Sequence, residues 1–160
     1  MSGSPAGPLH AYLVGVGCDS RGRRVIDVLT LPDEQLEEIH DYIQWFFPLP
    51  VPSAANPDAP ILTGAEIDAI KADPQAQETL ERAAERMLRF YGQTRWWLRW
   101  QDHNHLRITR IIRSLRLLVG VAAAQRFHKA ILALHDSAGA PINIRSLQFW
   151  ADAADHLRPP

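Results

Sequence analysis

The sequence predicts an all-α fold: a single compact domain of about six helices with a proline-rich crossover loop. Three observations carry this prediction. Apolar residues recur at spacings of three and four through most of the chain, the repeat of one helix face. Helix start and stop signals recur between those stretches, as capping residues, first-turn prolines and terminal glycines. No segment shows the alternation of a convincing sheet.

Residues 1–10 are rich in Gly, Ser, Pro and Ala. With no charged n-region or apolar h-region, they read as a flexible leader to a helical domain at 11–158. Residues 11–29 are the least regular part. Tyr12-Leu13-Val14 reads as extended, and Gly15, Gly17 and Gly22 punctuate a loop. Gly15-Val16-Gly17-Cys18-Asp19-Ser20 lacks the third glycine of a dinucleotide fingerprint, and no Gly-Lys-Ser/Thr follows. Phosphate-loop readings are therefore rejected.

Thr30 with Asp33, and Pro32 in the first turn, predict a helix running to about Phe47 and stopped by Pro48. Its inward stripe is Leu36, Ile39, Ile43, Phe46 and Phe47. Five prolines between Pro48 and Pro60 exclude regular structure there. Thr63 and Glu66 form a capping box for a short helix through Ala72. Asp73-Pro74 starts a longer one ending at Gly92, with Leu80, Ala84, Met87, Leu88 and Tyr91 inward. Glu78–Arg82 and Glu85–Arg89 support it as i,i+4 pairs worth about 0.2–0.5 kcal/mol each.

Asn104 is expected to cap the central helix, which ends at Gly120. Ile108, Ile111, Ile112, Leu115, Leu118 and Val119 give it the most apolar face of the chain. A helix over Val121–His135 follows, with Ala123, Phe127, Ala130, Ile131 and Leu134 inward. His128 and His135 share a face and read as its polar margin. After a turn at 137–141, Asn143 caps a last helix carrying Leu147, Trp150, Ala151, Ala154 and Leu157.

A chain of 160 residues buries roughly 70% of its unfolded surface. No apolar run approaches the roughly 20 residues that span a bilayer. The lone Cys18 excludes an intramolecular disulfide and lies in a glycine-rich loop with no feature that would activate it. These features predict a soluble, cytoplasmic protein. The 15 Arg against 2 Lys read as a GC-rich, bacterial-type composition. Charge is divided along the chain: residues 1–85 hold 14 acids and 5 bases, net −9, and residues 86–160 hold 4 acids and 12 bases, net +8. Acidic and basic helices can pair or face solvent, and the basic half can also meet an anion or nucleic acid. The near-neutral total argues against a dedicated nucleic-acid binder.

Several residues could carry chemistry. His40 and Gln44, one turn apart on the first long helix, flank its apolar stripe. Trp45 falls on the acidic outer face, where the proline loop would have to cover it. Arg107, Arg110, Arg113 and Arg116 wrap the outer side of the central helix, and Arg107 and Arg110 suit a carboxylate or phosphate bidentately. His103 and His105 form a His-x-His pair at its start. Zinc needs three or four ligands, and His40 and Asp41 are the other candidates, but no metal-binding helix motif is present. Neither a metal nor any other cofactor is expected. Arg95-Trp96-Trp97-Leu98-Arg99-Trp100 interleaves aromatics and cations, as core-packed loops and single-strand binders both do.

Two long motifs stand out. One is His40-Asp41-Tyr42-Ile43-Gln44-Trp45-Phe46-Phe47-Pro48-Leu49, the other runs from His103-Asn104-His105 through Leu106-Arg107-Ile108-Thr109-Arg110-Ile111 to Ser114-Leu115. With Asp19, Gly22-Arg23, Asn56, Ala59-Pro60 and Leu62, they resemble the conserved region of the opioid growth factor receptor family, over roughly Tyr12 to Phe127. Animal members can have an aromatic where this chain has His105, which argues against an essential metal ligand there. The resemblance implies reception of an enkephalin-type opioid peptide, a nuclear or membrane-associated location, and growth inhibition.

For this chain the leading expectation is a non-enzymatic binding module for a peptide or small anionic ligand. His40, Gln44, Trp45, Asn104, Arg107 and Arg110 would contact the ligand. The alternatives are a small-molecule enzyme with His40 or His103 as general acid/base, and a nucleic-acid binder using the Arg/Trp surface.

Overall fold

Nine helices form from these signals among residues 3–155, the part of the chain that the computed structural model describes. They are α1 (Pro8–Leu13), α2 (Val25–Leu29), α3 (Asp33–Glu38), α4 (Ile43–Phe46), α5 (Gly64–Ala72), α6 (Pro74–Gln93), α7 (His103–Leu118), α8 (Val121–Ser137) and α9 (Ile144–Ala154). The all-helical class holds, and no described residue lies in a strand. The count exceeds the expected six because three short helices, α1, α2 and α4, build the N-terminal third. No helix of the described residues is long and apolar enough to cross a membrane. The chain divides into two compact units, Met1–Ala83 and Ala84–Pro160. Leu157, expected on the last helix, lies outside the described residues.

In the first unit, α1 packs against α4 and α5. It begins with Pro8 in its first turn and buries Leu9, Tyr12 and Leu13 completely. The extended reading of Tyr12-Leu13-Val14 is thereby corrected, and α1 begins inside the stretch read as leader. The expected long helix from Thr30 to Phe47 is broken. Pro32, and not Thr30, is the N-cap of α3, while Thr30 closes α2. Ile39 turns extended, with φ −84° and ψ 128°. The Tyr42 hydroxyl donates to the carbonyl of Leu36 at 2.8 Å, occupying an acceptor that an unbroken helix would offer to the backbone N–H four residues on. The break turns the following residues inward, so Trp45, expected on the acidic outer face, is buried at 5% exposure.

The proline-rich segment after Pro48 is tied down by its ends and its turns. Leu62 N donates to Leu49 O at 3.1 Å, and Ala59 N to Asn56 O at 3.0 Å. Ser53 Oγ accepts from Gln44 Nε2 at 3.3 Å and from Asn56 N at 3.2 Å. The capping box of Thr63 and Glu66 starts α5 as the sequence predicts.

In the second unit α7 is central, packed against both α8 and α9. Ile108, Ile111, Ile112, Leu115 and Leu118 are buried along it. Its N-cap is Asp102, whose side chain accepts from Asn104 N, and not Asn104 as expected. Asn143 caps α9 as predicted, accepting from Ser146 N at 2.8 Å. On α8 the buried positions are Ala124, Phe127, Ile131 and His135, so His135 faces inward and not onto a polar margin.

Candidate functional site

Asp19 builds the polar surface of the first unit. Its carboxylate accepts from the N–H groups of Arg21 and Arg23 at 2.9 and 3.0 Å and from Arg23 Nε at 2.6 Å. The turn it closes needs Gly22 at φ +76°, a left-handed conformation that favours glycine. Arg23 then reaches Asp41 at 2.7 Å, and Arg21 reaches the same carboxylate at 3.0 Å. Burial would raise Asp41, but its bonds to Arg23 and Arg21 hold it below the usual carboxylate range. Burial would likewise lower Arg23, and the two carboxylates raise it instead. This cluster borders a cleft of about 590 Å³ that is also lined by Glu38, Ile39, His40, Ala55 and Asn56.

A second cleft, of about 820 Å³, lies at the N-terminal ends of α7 and α9. Asp102 of its lining belongs to a hydrogen-bond network around Asn104. Asp102 Oδ1 accepts from both Asn104 N and Asn104 Nδ2 at 2.9 Å. Asp102 Oδ2 accepts from Arg99 Nε and Nη2 at 2.9 and 2.8 Å. Asn104 Oδ1 in turn accepts from Arg107 Nη1 at 3.3 Å and the Tyr91 hydroxyl at 3.4 Å. Burial would raise Asp102, but these donors keep it below its ordinary value.

His105 lies beneath the cleft at 3% exposure. Its Nε2 is 2.8 Å from the Trp97 carbonyl, which can only accept, so Nε2 carries the proton. Its Nδ1 then accepts from Ser146 Oγ at 3.4 Å. The pair resembles a nucleophile and its base, but a backbone carbonyl stands where an orienting carboxylate would be. Burial lowers the His105 pKa first of all, partly offset by Trp97 O and Asp102. Burial lowers His128 as well.

The sign of the pH dependence follows. Unfolded imidazoles titrate near about 6.5, whereas these two titrate lower in the folded protein. As pH falls through that interval the unfolded chain binds protons that the native one refuses, so stability is lost. We expect the urea midpoint to fall between about pH 7.5 and about pH 5.5. An unchanged midpoint over that range would contradict the assignment.

The six residues singled out from the sequence fall three to each unit. In the first, His40 is exposed at the cleft, while Gln44 and Trp45 are buried at 2% and 5% exposure. Gln44 Oε1 and Trp45 Nε1 have no hydrogen-bond partner among the described residues. His40 and Gln44 do not share one helix, since the break after Glu38 separates them. In the second unit, Asn104 and Arg107 are buried and bonded to each other. Arg110 is half-buried, and burial together with Arg113 pushes it down to about 10. The sequence reading passed over Arg21, Asn143, Arg145, Ser146 and Phe149 as cleft residues, because only the fold gathers them.

The opioid growth factor receptor conserved region matches residues 30–96. Residues 30–96 of this chain are similar to that conserved region. The match begins at Thr30, runs through the His40–Leu49 motif and α5, and ends at Trp96. The opioid growth factor receptor of Homo sapiens is 43% identical over 98 residues, covering 50% of this chain and 14% of that protein. Opioid growth factor receptor-like protein 1 of Rattus norvegicus is 37% identical over 99 residues, covering 51% of this chain and 21% of its own length. The like protein of Xenopus tropicalis is 37% identical over 99 residues, with 51% and 19% covered. The match therefore spans no more than about a fifth of these relatives. No solved structure matches the chain. Arg23, outside the matched residues, bonds Asp41 of the first motif, which lies within them.

Proposed function

We propose that this chain is a non-enzymatic binding module for a peptide or a small anionic ligand. The observation that carries this reading is the polar cleft of the first unit, where the exposed His40 stands beside Arg21, Arg23 and Asn56. Arginine forks and an imidazole suit a carboxylate. Gln44 supports the same reading, since its Oε1 is a buried acceptor with no partner among the described residues. It could take a donor from a ligand that displaces the covering loop, with Trp45 shaping the wall. The receptor names of the relatives fit ligand binding.

The test is a thermal-shift screen of short peptides with free carboxyl termini and of small dicarboxylates, followed by titration of the strongest hit. His40→Ala should weaken it about tenfold, the loss of one charge-assisted hydrogen bond. Because His40 is exposed, this variant separates binding from folding. Affinity unchanged in His40→Ala would refute the proposal.

A further inference from the structure

We infer that the cleft at the N-terminal ends of α7 and α9 is a docking surface for an acidic amphipathic segment of another protein. The inference keeps the binding-module reading but uses a different cleft and different residues. Trp100, Leu106, Ile144 and Phe149 are 69%, 69%, 75% and 44% exposed, and all four line this one cleft. Exposed apolar side chains scattered singly need no explanation, but a contiguous set marks an interaction site.

Charge selects the occupant. Arg99 and Arg145 rim the apolar lining. The one acid in the lining, Asp102, has a fully buried side chain and is taken up by Arg99 and Asn104. That carboxylate is therefore not offered to a ligand. The N-terminal ends of two helices, of 16 and 11 residues, add partial positive charge. Arg145 lies 5.6 Å from the centre of the Phe149 ring, which places a cation beside an apolar wall. A segment that alternates large apolar side chains with carboxylates matches both features. Single-stranded nucleic acid fits less well. Leu106 and Ile144 offer no stacking face.

The test uses the full chain and fluorescence anisotropy with labelled peptides. The first alternates Asp and Glu with Leu and Phe. The second carries Lys in place of the acids, and the third carries Ser in place of the apolar residues. Labelled oligothymidylate is the fourth probe. The first peptide should bind at least about tenfold tighter than the other three probes. Trp100→Ala and Arg145→Glu should each cost at least about tenfold, with the unfolding midpoint unchanged. His40→Ala should leave this binding intact, so failure here and failure of the His40 reading are distinguishable. Equal affinity for the Lys peptide, indifference to both cleft variants, or tighter binding of oligothymidylate would overturn the inference.

Discussion

Glu66→Ala is expected to destabilise the first unit by about 2–6 kcal/mol, about 1–3 kcal/mol for each of two backbone donors, one buried and one part-buried, left without an acceptor. Glu66 is 1% exposed. Its Oε2 accepts from the N–H groups of Leu9 and His10 at 2.8 and 3.1 Å. Those are first-turn donors of α1, which no residue of that helix can satisfy. Its Oε1 closes the capping box, accepting from Thr63 N at 3.3 Å and Thr63 Oγ1 at 3.2 Å. One carboxylate thus serves the starts of two helices, and its charge suits both N-terminal dipoles. Glu66→Gln keeps the shape and one acceptor, so it should cost less than the alanine. Urea unfolding followed by circular dichroism checks the order Ala, Gln, wild type. Gly7 belongs to the same contact. A Cβ there would come within 2.5 Å of Glu66 Cδ, so a methyl group at Gly7 should also destabilise. If Glu66→Ala shifted the midpoint no more than an ordinary surface change, the carboxylate would not be holding α1.

This residue shows where sequence reading stops. The capping box of Thr63 and Glu66, the Asp73-Pro74 start and the Asn143 cap were legible because each is chemistry between residues a few positions apart. The role of Glu66 toward Leu9 was not, because the partner lies 57 residues away. The broken helix has the same cause. The apolar spacing from Leu36 to Phe47 is continuous, and only the Tyr42 hydroxyl on Leu36 O and the two arginines on Asp41 reveal the turn. Around α7 the helix and its buried face were read correctly. Its cap was misplaced by two residues because Asp102 and Asn104 both have the side chain of a cap. Arg107 looked like one of four outer arginines, yet Asn104 and its neighbours hold it inside. Of the cleft residues, the sequence exposed Arg99 and Trp100 as part of a dense aromatic and cationic segment. It could not show that Ile144, Arg145 and Phe149 of α9 line the same space.

Two tryptophans of the second unit should separate stability from binding. Trp150 is fully buried, and its Nε1 donates to the carbonyl of His105 at 3.0 Å. Its ring meets the His105 ring edge to face at 5.7 Å. Trp150→Ala should therefore cost about 3–5 kcal/mol, the usual range for a large core aromatic. Because Ile144, Arg145 and Phe149 ride on the helix that Trp150 anchors, peptide binding at the cleft should fall with it. Trp100 is 69% exposed, so Trp100→Ala should stay within about 0.5 kcal/mol of wild type and still lose the acidic peptide. Urea unfolding and peptide anisotropy on both variants measure the two effects independently. A Trp100 variant that lost stability as Trp150 does would mean that the side chain holds the fold, and the cleft would then have no free apolar anchor to offer a partner.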